Sequence, residues 1–239
     1  MELEKRRKDY GKLRLSAKDL TGLDWVASMG TMRLDALAQL FSVIEGKKID
    51  VEATRKVVQR WLREGWAEQQ TFLKGMPPFV WLTKSGMSQT KYRLSADKPA
   101  LSMLEHTSDL SFIRLDVLKS NPTAHWRSER EIRNIASNHS KGLSFPHLPD
   151  GEVIIDASQI FAIERERTAK TVERTRGIIL ELCSRKFDYD NSPALITTSE
   201  GYRYTEIIYY ASVNSIKIVE KALSQIPASQ SKKVRVILW

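Results

Sequence analysis

The stretch DVEATRKVVQRWLREGW, residues 50–66, opens on an acidic residue and closes on a glycine. Asp50 stands where a helix N-cap carboxylate accepts from free backbone N–H groups. Gly65 stands where the residue after a helix takes up left-handed backbone. The spacing predicts a helix over 51–64. Val51, Thr54, Val57, Val58, Trp61 and Leu62 fall mostly along one side, and Arg55, Lys56, Gln59, Arg60 and Arg63 on the other faces. Long cationic and amide side chains in that pattern suit phosphate oxygens and purine edges in a major groove. A plain solvated face is the alternative that the same residues allow.

The flanking sequence gives this helix a context. Upstream, residues 23–30 read as a short helix closed by Gly30. Leu34, Leu37, Ala38, Leu40 and Phe41 repeat with helical spacing, predicting a second helix over 33–43. Gly46-Lys47-Lys48 makes the turn into Asp50. Downstream, residues 66–72 alternate as a strand, 74–78 hold a turn with Pro77-Pro78, and Phe79-Val80-Trp81-Leu82 reads as the return strand. Two helices, a basic helix and a two-stranded ribbon are the order of a winged helix-turn-helix, expected over residues 20–98 after a basic tail over 1–19. The expected contacts to double-stranded DNA are Arg33, Thr54, Arg55, Lys56, Gln59, Arg60 and Arg63, with Lys74 at the wing tip.

Charge is distributed in keeping with that expectation. The 239-residue chain has a formal net charge of +9. Residues 1–100 hold 19 basic and 12 acidic residues, a net of +7, whereas residues 101–239 hold 19 and 17, a net of +2. A basic part beside a nearly neutral one is the asymmetry of a chain whose first part meets a polyanion. No apolar run approaches the ~18–20 residues of a membrane span, and the N-terminus lacks a secretory apolar region. The single cysteine, Cys183, excludes an intrachain disulfide framework and a Cys-rich zinc site. A cytoplasmic protein without a membrane partner is expected.

Residues 99–239 read as helix, strand, strand, helix, strand, helix, strand, with a further helix near 128–138. The fold class expected is α+β: the winged helix followed by an α/β sandwich on a mixed sheet. Glu164 and Glu166 share one face of a strand over 159–166, while Phe161, Ile163 and Arg165 share the other. Asp150 precedes an apolar strand, Glu129 sits on the preceding helix, and Lys170 follows Glu166 by four residues. Glu129, Asp150, Glu164, Glu166 and Lys170 are the candidate catalytic set. Within it Asp150, Glu164 and Glu166 are the candidate ligands of a hard divalent ion such as Mg²⁺, which polarises phosphate and activates water. A structural ion-pair cluster is the competing reading. His106, His125, His139 and His147 have no metal-ligand spacing and read as surface or capping residues. Cys183 reads as core. Tyr202, Tyr204, Tyr209 and Tyr210 read as packing residues rather than base-stacking ones. Glycine-rich phosphate loops are absent from the sequence.

Several pieces, in order, resemble the replication-relaxation (Replic_Relax) family of plasmid and conjugative-element proteins. They are Val80-Trp81-Leu82-Thr83, Glu105-His106, Trp126-Arg127-Ser128-Glu129-Arg130, His147-Leu148-Pro149-Asp150-Gly151 and Ala162-Ile163-Glu164-Arg165-Glu166-Arg167-Thr168-Ala169-Lys170. The likeness spans roughly residues 22–226. It implies DNA binding in plasmid mobilisation, conjugation or replication, with a relaxase or other mobilisation and replication proteins as partners, and leaves a homodimer open. The second half also looks like the PD-(D/E)XK restriction-endonuclease-like fold, with Pro149-Asp150 as the "PD" and Glu164 as the following acid. Glu166 stands where that motif has lysine, and Lys170 is the substitute reaching back from the helix. This departure implies a noncatalytic domain or altered chemistry. A metal-dependent endonuclease and a transcription regulator with an α/β dimerisation domain are the alternatives to a DNA-binding accessory protein.

Overall fold

A computed structural model describes residues 15–72, 74–139, 147–156, 158–184 and 204–239. The first helix, α1 (Ala17–Met29), starts six residues before the Leu23 expected from periodicity. A capping box moves it: the Ser16 hydroxyl accepts from the Asp19 N–H at 3.2 Å, and the Asp19 carboxylate accepts from the Ser16 N–H at 2.9 Å. Residues 17–19, read as tail, therefore belong to the helix; residues 1–14 of that tail lie outside the described residues. A two-residue strand, β1 (Met32–Arg33), precedes α2 (Leu34–Glu45). Then come α3 (Val51–Arg63), β2 (Ala67–Gln70), β3 (Phe79–Leu82) and a single turn of helix, α4 (Lys84–Met87). The three strands form an antiparallel sheet in the order β1-β3-β2.

The ends of α3 follow the chemistry read from its sequence. The Asp50 carboxylate accepts from the Ala53 N–H at 2.7 Å, and Gly65 has φ +68°. After β3, Thr83 caps α4 and donates to the Gly65 carbonyl at 2.6 Å. A Cβ on Gly86 would sit 1.8 Å from the Trp66 carbonyl oxygen, so the close approach of α4 to that backbone requires glycine.

Residues 104–239 place helices around a mixed five-stranded sheet, so the chain is α+β. A 3₁₀ turn (Leu101–Met103) leads into α5 (Leu104–Ser120), followed by β4 (His125–Ser128) and α6 (Glu129–His139). Next are β5 (Gly151–Asp156), β6 (Gln159–Glu166), α7 (Val172–Ser184), β7 (Glu206–Ala211), α8 (Ile216–Leu223), a short α9 (Ala228–Ser231) and β8 (Val234–Leu238). The sheet order is β4-β5-β6-β7-β8, antiparallel through β6 and parallel from β6 to β8.

Two apolar clusters sandwich this sheet. One joins Val153, Ile163, Ile208 and Tyr210 to α5 and continues into the packing of α1, α2 and α3. The other joins Ile154, Ala162, Ile207 and Tyr209 to α7 and α8. The alternation read along β6 holds: Ile163 and Phe161 meet the first cluster, Ala162 the second. Polar groups buried in the sheet are matched. The Arg127 guanidinium donates to Glu152 at 2.9 Å, and the Tyr204 hydroxyl donates to the other Glu152 oxygen.

Asp19 locks α3 to α1. It has no exposed surface, and it accepts from the Trp61 indole N–H at 2.8 Å and from the Arg60 guanidinium. Burial raises its pKa, but the hydrogen bonds from Ser16, Arg60 and Trp61 outweigh burial and hold it below the ordinary value. Asp19→Ala removes a partner of a charged group that remains. Arg60 is one-third exposed and can rehydrate, so a loss of about 3 kcal/mol is expected, at the lower end for such pairs. Urea denaturation measures it; a loss under about 1 kcal/mol contradicts the hub. Because this carboxyl is depressed, its contribution is present at neutral pH and fades as pH falls below about 4.

Candidate functional site

Two surfaces carry the residues singled out in the sequence. The first is the outward side of α3. Glu52, Lys56, Gln59 and Arg63 are exposed and follow one another at helical spacing. Among the described residues no partner for Lys56, Gln59 or Arg63 is found, whereas Arg55 donates to Glu52 at 2.8 Å and keeps 42% of its side chain exposed. Lys74 is exposed in the turn between β2 and β3.

Three of the expected DNA contacts change role. Thr54 is 0% exposed, and its hydroxyl donates to the Asp50 carbonyl at 3.0 Å, so it cannot reach a ligand. Arg60 is turned back to Asp19. Arg33 is forked onto Asp35 and lies 5.4 Å from the centre of the Phe112 ring. Spacing alone does not separate these from Lys56 and Arg63, because their partners lie on other elements or on the helix's own backbone.

The second surface is a cleft of about 580 Å³ between the start of α5 and the ends of β5 and β6. It brings together Asp150, Glu164, Glu166 and Lys170 of the expected set. Glu129 is not in its lining; it pairs with Arg133 one helical turn along α6. The cleft also contains His106 and His147, which the spacing of the histidines had not marked.

Each carboxylate there is individually matched. Asp150 meets His106 Nε2 at 3.0 Å through one oxygen and accepts from the Arg165 backbone N–H at 2.7 Å through the other. Glu164 meets His147 Nε2 at 2.8 Å, and Lys170 donates to Glu166. Arg165 crosses to the opposite face, donating to Asp109 at 2.9 Å and to the Tyr210 carbonyl at 2.9 Å. Among the described residues no three His, Cys, Asp or Glu side chains form a group able to hold a metal ion. Asp150, Glu164 and Glu166, expected to share one, are instead each tied to a separate base. The three carboxylates do not form one group of converging donors.

Burial dominates the electrostatics of the cleft. It pushes the Glu164 carboxyl up to about 7, helped by Asp150 and opposed by His147 and Lys170. Burial works to lower His106 and His147, but their hydrogen bonds to Asp150 and Glu164 win and raise both above the ordinary histidine value. Cys183 lies in the second core, where burial pushes the thiol up, as suits a packing residue rather than a nucleophile. Tyr204, Tyr209 and Tyr210 are buried, which removes them from base stacking; Tyr202 lies outside the described residues.

The signal for the two histidines was in the chain: each belongs to a quoted motif, Glu105-His106 and His147-Leu148-Pro149-Asp150. Their pairing was not legible, because it spans 44 residues for His106 and 17 for His147. No family model, curated protein or solved structure matches the chain.

The raised groups set the sign of a pH effect. Glu164 and His147 both bind protons more tightly folded than unfolded, so their contribution is largest at acidic pH and declines as pH rises from about 4.5 through 7 and above. Melting temperatures measured between pH 5 and 8 are expected to fall less steeply with pH in Glu164→Gln than in the parent. Identical slopes contradict the assignment.

Proposed function

We propose that the chain binds double-stranded DNA through α3 and acts as an accessory protein of a mobile element. It finds an origin or operator and recruits partners such as a relaxase. The observation that carries this reading is the free outward row of α3. Its cationic and amide groups are solvent-facing, while the opposite side is pinned by Asp19, Trp61 and Thr54. A helix held on one side with unpaired long donors on the other has the form of a groove reader. The order α1-β1-α2-α3-β2-β3, with β1 added to the hairpin edge, supports a winged helix-turn-helix. Lys74 then lies at the tip of the wing. The mobile-element setting, in the cytoplasm of a bacterium, follows from the motif resemblance alone.

The second half serves in this reading as a restriction-endonuclease-like scaffold without metal-dependent cleavage. Its support is the one-to-one pairing of Asp150, Glu164 and Glu166 with His106, His147 and Lys170. Charges already neutralised within the protein have less to offer an incoming cation.

Fluorescence anisotropy with duplex DNA tests the reading. Lys56→Ala and Arg63→Ala are each expected to weaken binding by about 1–3 kcal/mol if they contact bases, or to make the salt slope shallower by about 1 if they contact phosphate. Affinity and slope unchanged in the double variant would take α3 out of the interface. Incubation of supercoiled and linear DNA with Mg²⁺ or Mn²⁺ is expected to leave both intact. Cleavage that Glu164→Ala abolishes contradicts the scaffold assignment.

A further inference from the structure

A second cleft, of about 480 Å³, lies between the segment after α4 and the outer side of α6. Arg93, Arg130 and Arg133 line it together with Ser95, Asn134 and Ser137; among the described residues no carboxylate does. Arg93 is exposed and has no ion-pair partner among the described residues. Arg133 is 68% exposed and, among the described residues, pairs with Glu129, which lies outside the lining.

Arg130 is held differently. Its guanidinium donates to two neutral acceptors, the Ala27 carbonyl near the end of α1 and the Ser95 carbonyl at 2.6 Å. Gly30, with φ +81°, leaves room for it; a Cβ there would stand 3.3 Å from Arg130 Cδ. The nearby acids are Asp97 and Glu131. Glu131 is engaged by Ser28 and by the Ser128 backbone and hydroxyl. A fixed guanidinium bonded to carbonyls, flanked by two exposed ones and polar neutral groups, is an anion receptor built before its ligand arrives.

We infer that this cleft holds phosphate groups of a nucleic-acid backbone, and that they belong to the duplex that α3 engages. The inference rests on the DNA-binding reading. The same helix positions both surfaces: α1 receives α3 at Asp19 and Arg130 at Ala27, about 12 Å apart along its axis at 1.5 Å per residue. The cleft extends the footprint beyond α3 with contacts that carry no sequence information.

The test measures duplex affinity against salt for the parent, for Arg93→Ala/Arg133→Ala and for Lys56→Ala/Arg63→Ala. Arg130 is left in place because it supports α1. The cleft variant is expected to keep the parent's melting temperature and to make the slope of log affinity against log salt shallower by about 1–2, equally for every sequence. A slope unchanged in the cleft variant while the α3 variant loses binding overturns this inference and leaves the function standing. The reverse result keeps the cleft and removes α3. A parent that binds no duplex overturns both. Inorganic phosphate and a mononucleotide are titrated alongside. If either binds as tightly as duplex and is lost in the cleft variant, the cleft belongs to a small phosphate ligand and the backbone assignment is wrong.

Discussion

Asp19 is a carboxylate with no exposed surface that accepts from the Ser16 backbone and hydroxyl, the Trp61 indole and the Arg60 guanidinium. A charge in that position is tolerated only because its acceptors are filled. It starts α1, and it fixes which side of α3 faces inward. Trp61 fills the core against Phe41, edge to face at 6.4 Å. Gly22 makes room for that indole: a Cβ there would lie 2.7 Å from Trp61. With Trp61 and Arg60 turned inward, Lys56, Gln59 and Arg63 turn outward. The proposed DNA surface is thus a consequence of one buried hydrogen-bonded hub.

The same principle runs through the second half with a different outcome. The cleft at β5 and β6 collects four carboxylates, Glu105, Asp150, Glu164 and Glu166, yet each is matched by a base, and the sheet below it matches Glu152 with Arg127 and Tyr204. The basic cleft beside α6 is the contrast. Its central arginine meets backbone carbonyls, Arg133 pairs with Glu129, and Arg93 has no ion-pair partner among the described residues. The cleft at β5 and β6 balances its acids with Arg165, Arg167, Lys170 and Arg174, whereas no carboxylate among the described residues lines the cleft beside α6. The net +7 of the first hundred residues is therefore only part of the story, since Arg130 and Arg133 come from the nearly neutral remainder.

What the sequence made legible follows from the range of the interactions involved. Local chemistry was readable: Asp50 and Gly65 bracket α3, and β3 and β6 fall where their patterns place them. The Glu166–Lys170 pair was readable because it spans four residues. Strands β1 and β4, two and four residues long, were not, since only pairing with β3 and β5 makes them strands. Helix α2, expected over 33–43, runs from Leu34 to Glu45; end residues carry too little periodicity to fix a boundary. Of the cationic residues proposed for DNA, Arg60 was indistinguishable from Lys56 and Arg63 until Asp19, 41 residues away, came into place, whereas the Arg33–Asp35 pair spans two residues and was within local reach. His106 and His147 were set aside for want of metal-ligand spacing, and their carboxylate partners are contacts of the tertiary fold.

The central claim is that duplex DNA lies on the outward side of α3. Backbone amide chemical-shift mapping during titration with a short duplex tests it residue by residue. The largest changes are expected over residues 52–63 and at the 74–76 turn, with smaller ones at 93–95 and 130–134. Changes concentrated instead around His106, His147, Asp150 and Lys170, with α3 undisturbed, would contradict it and move the nucleic acid to the cleft at β5 and β6.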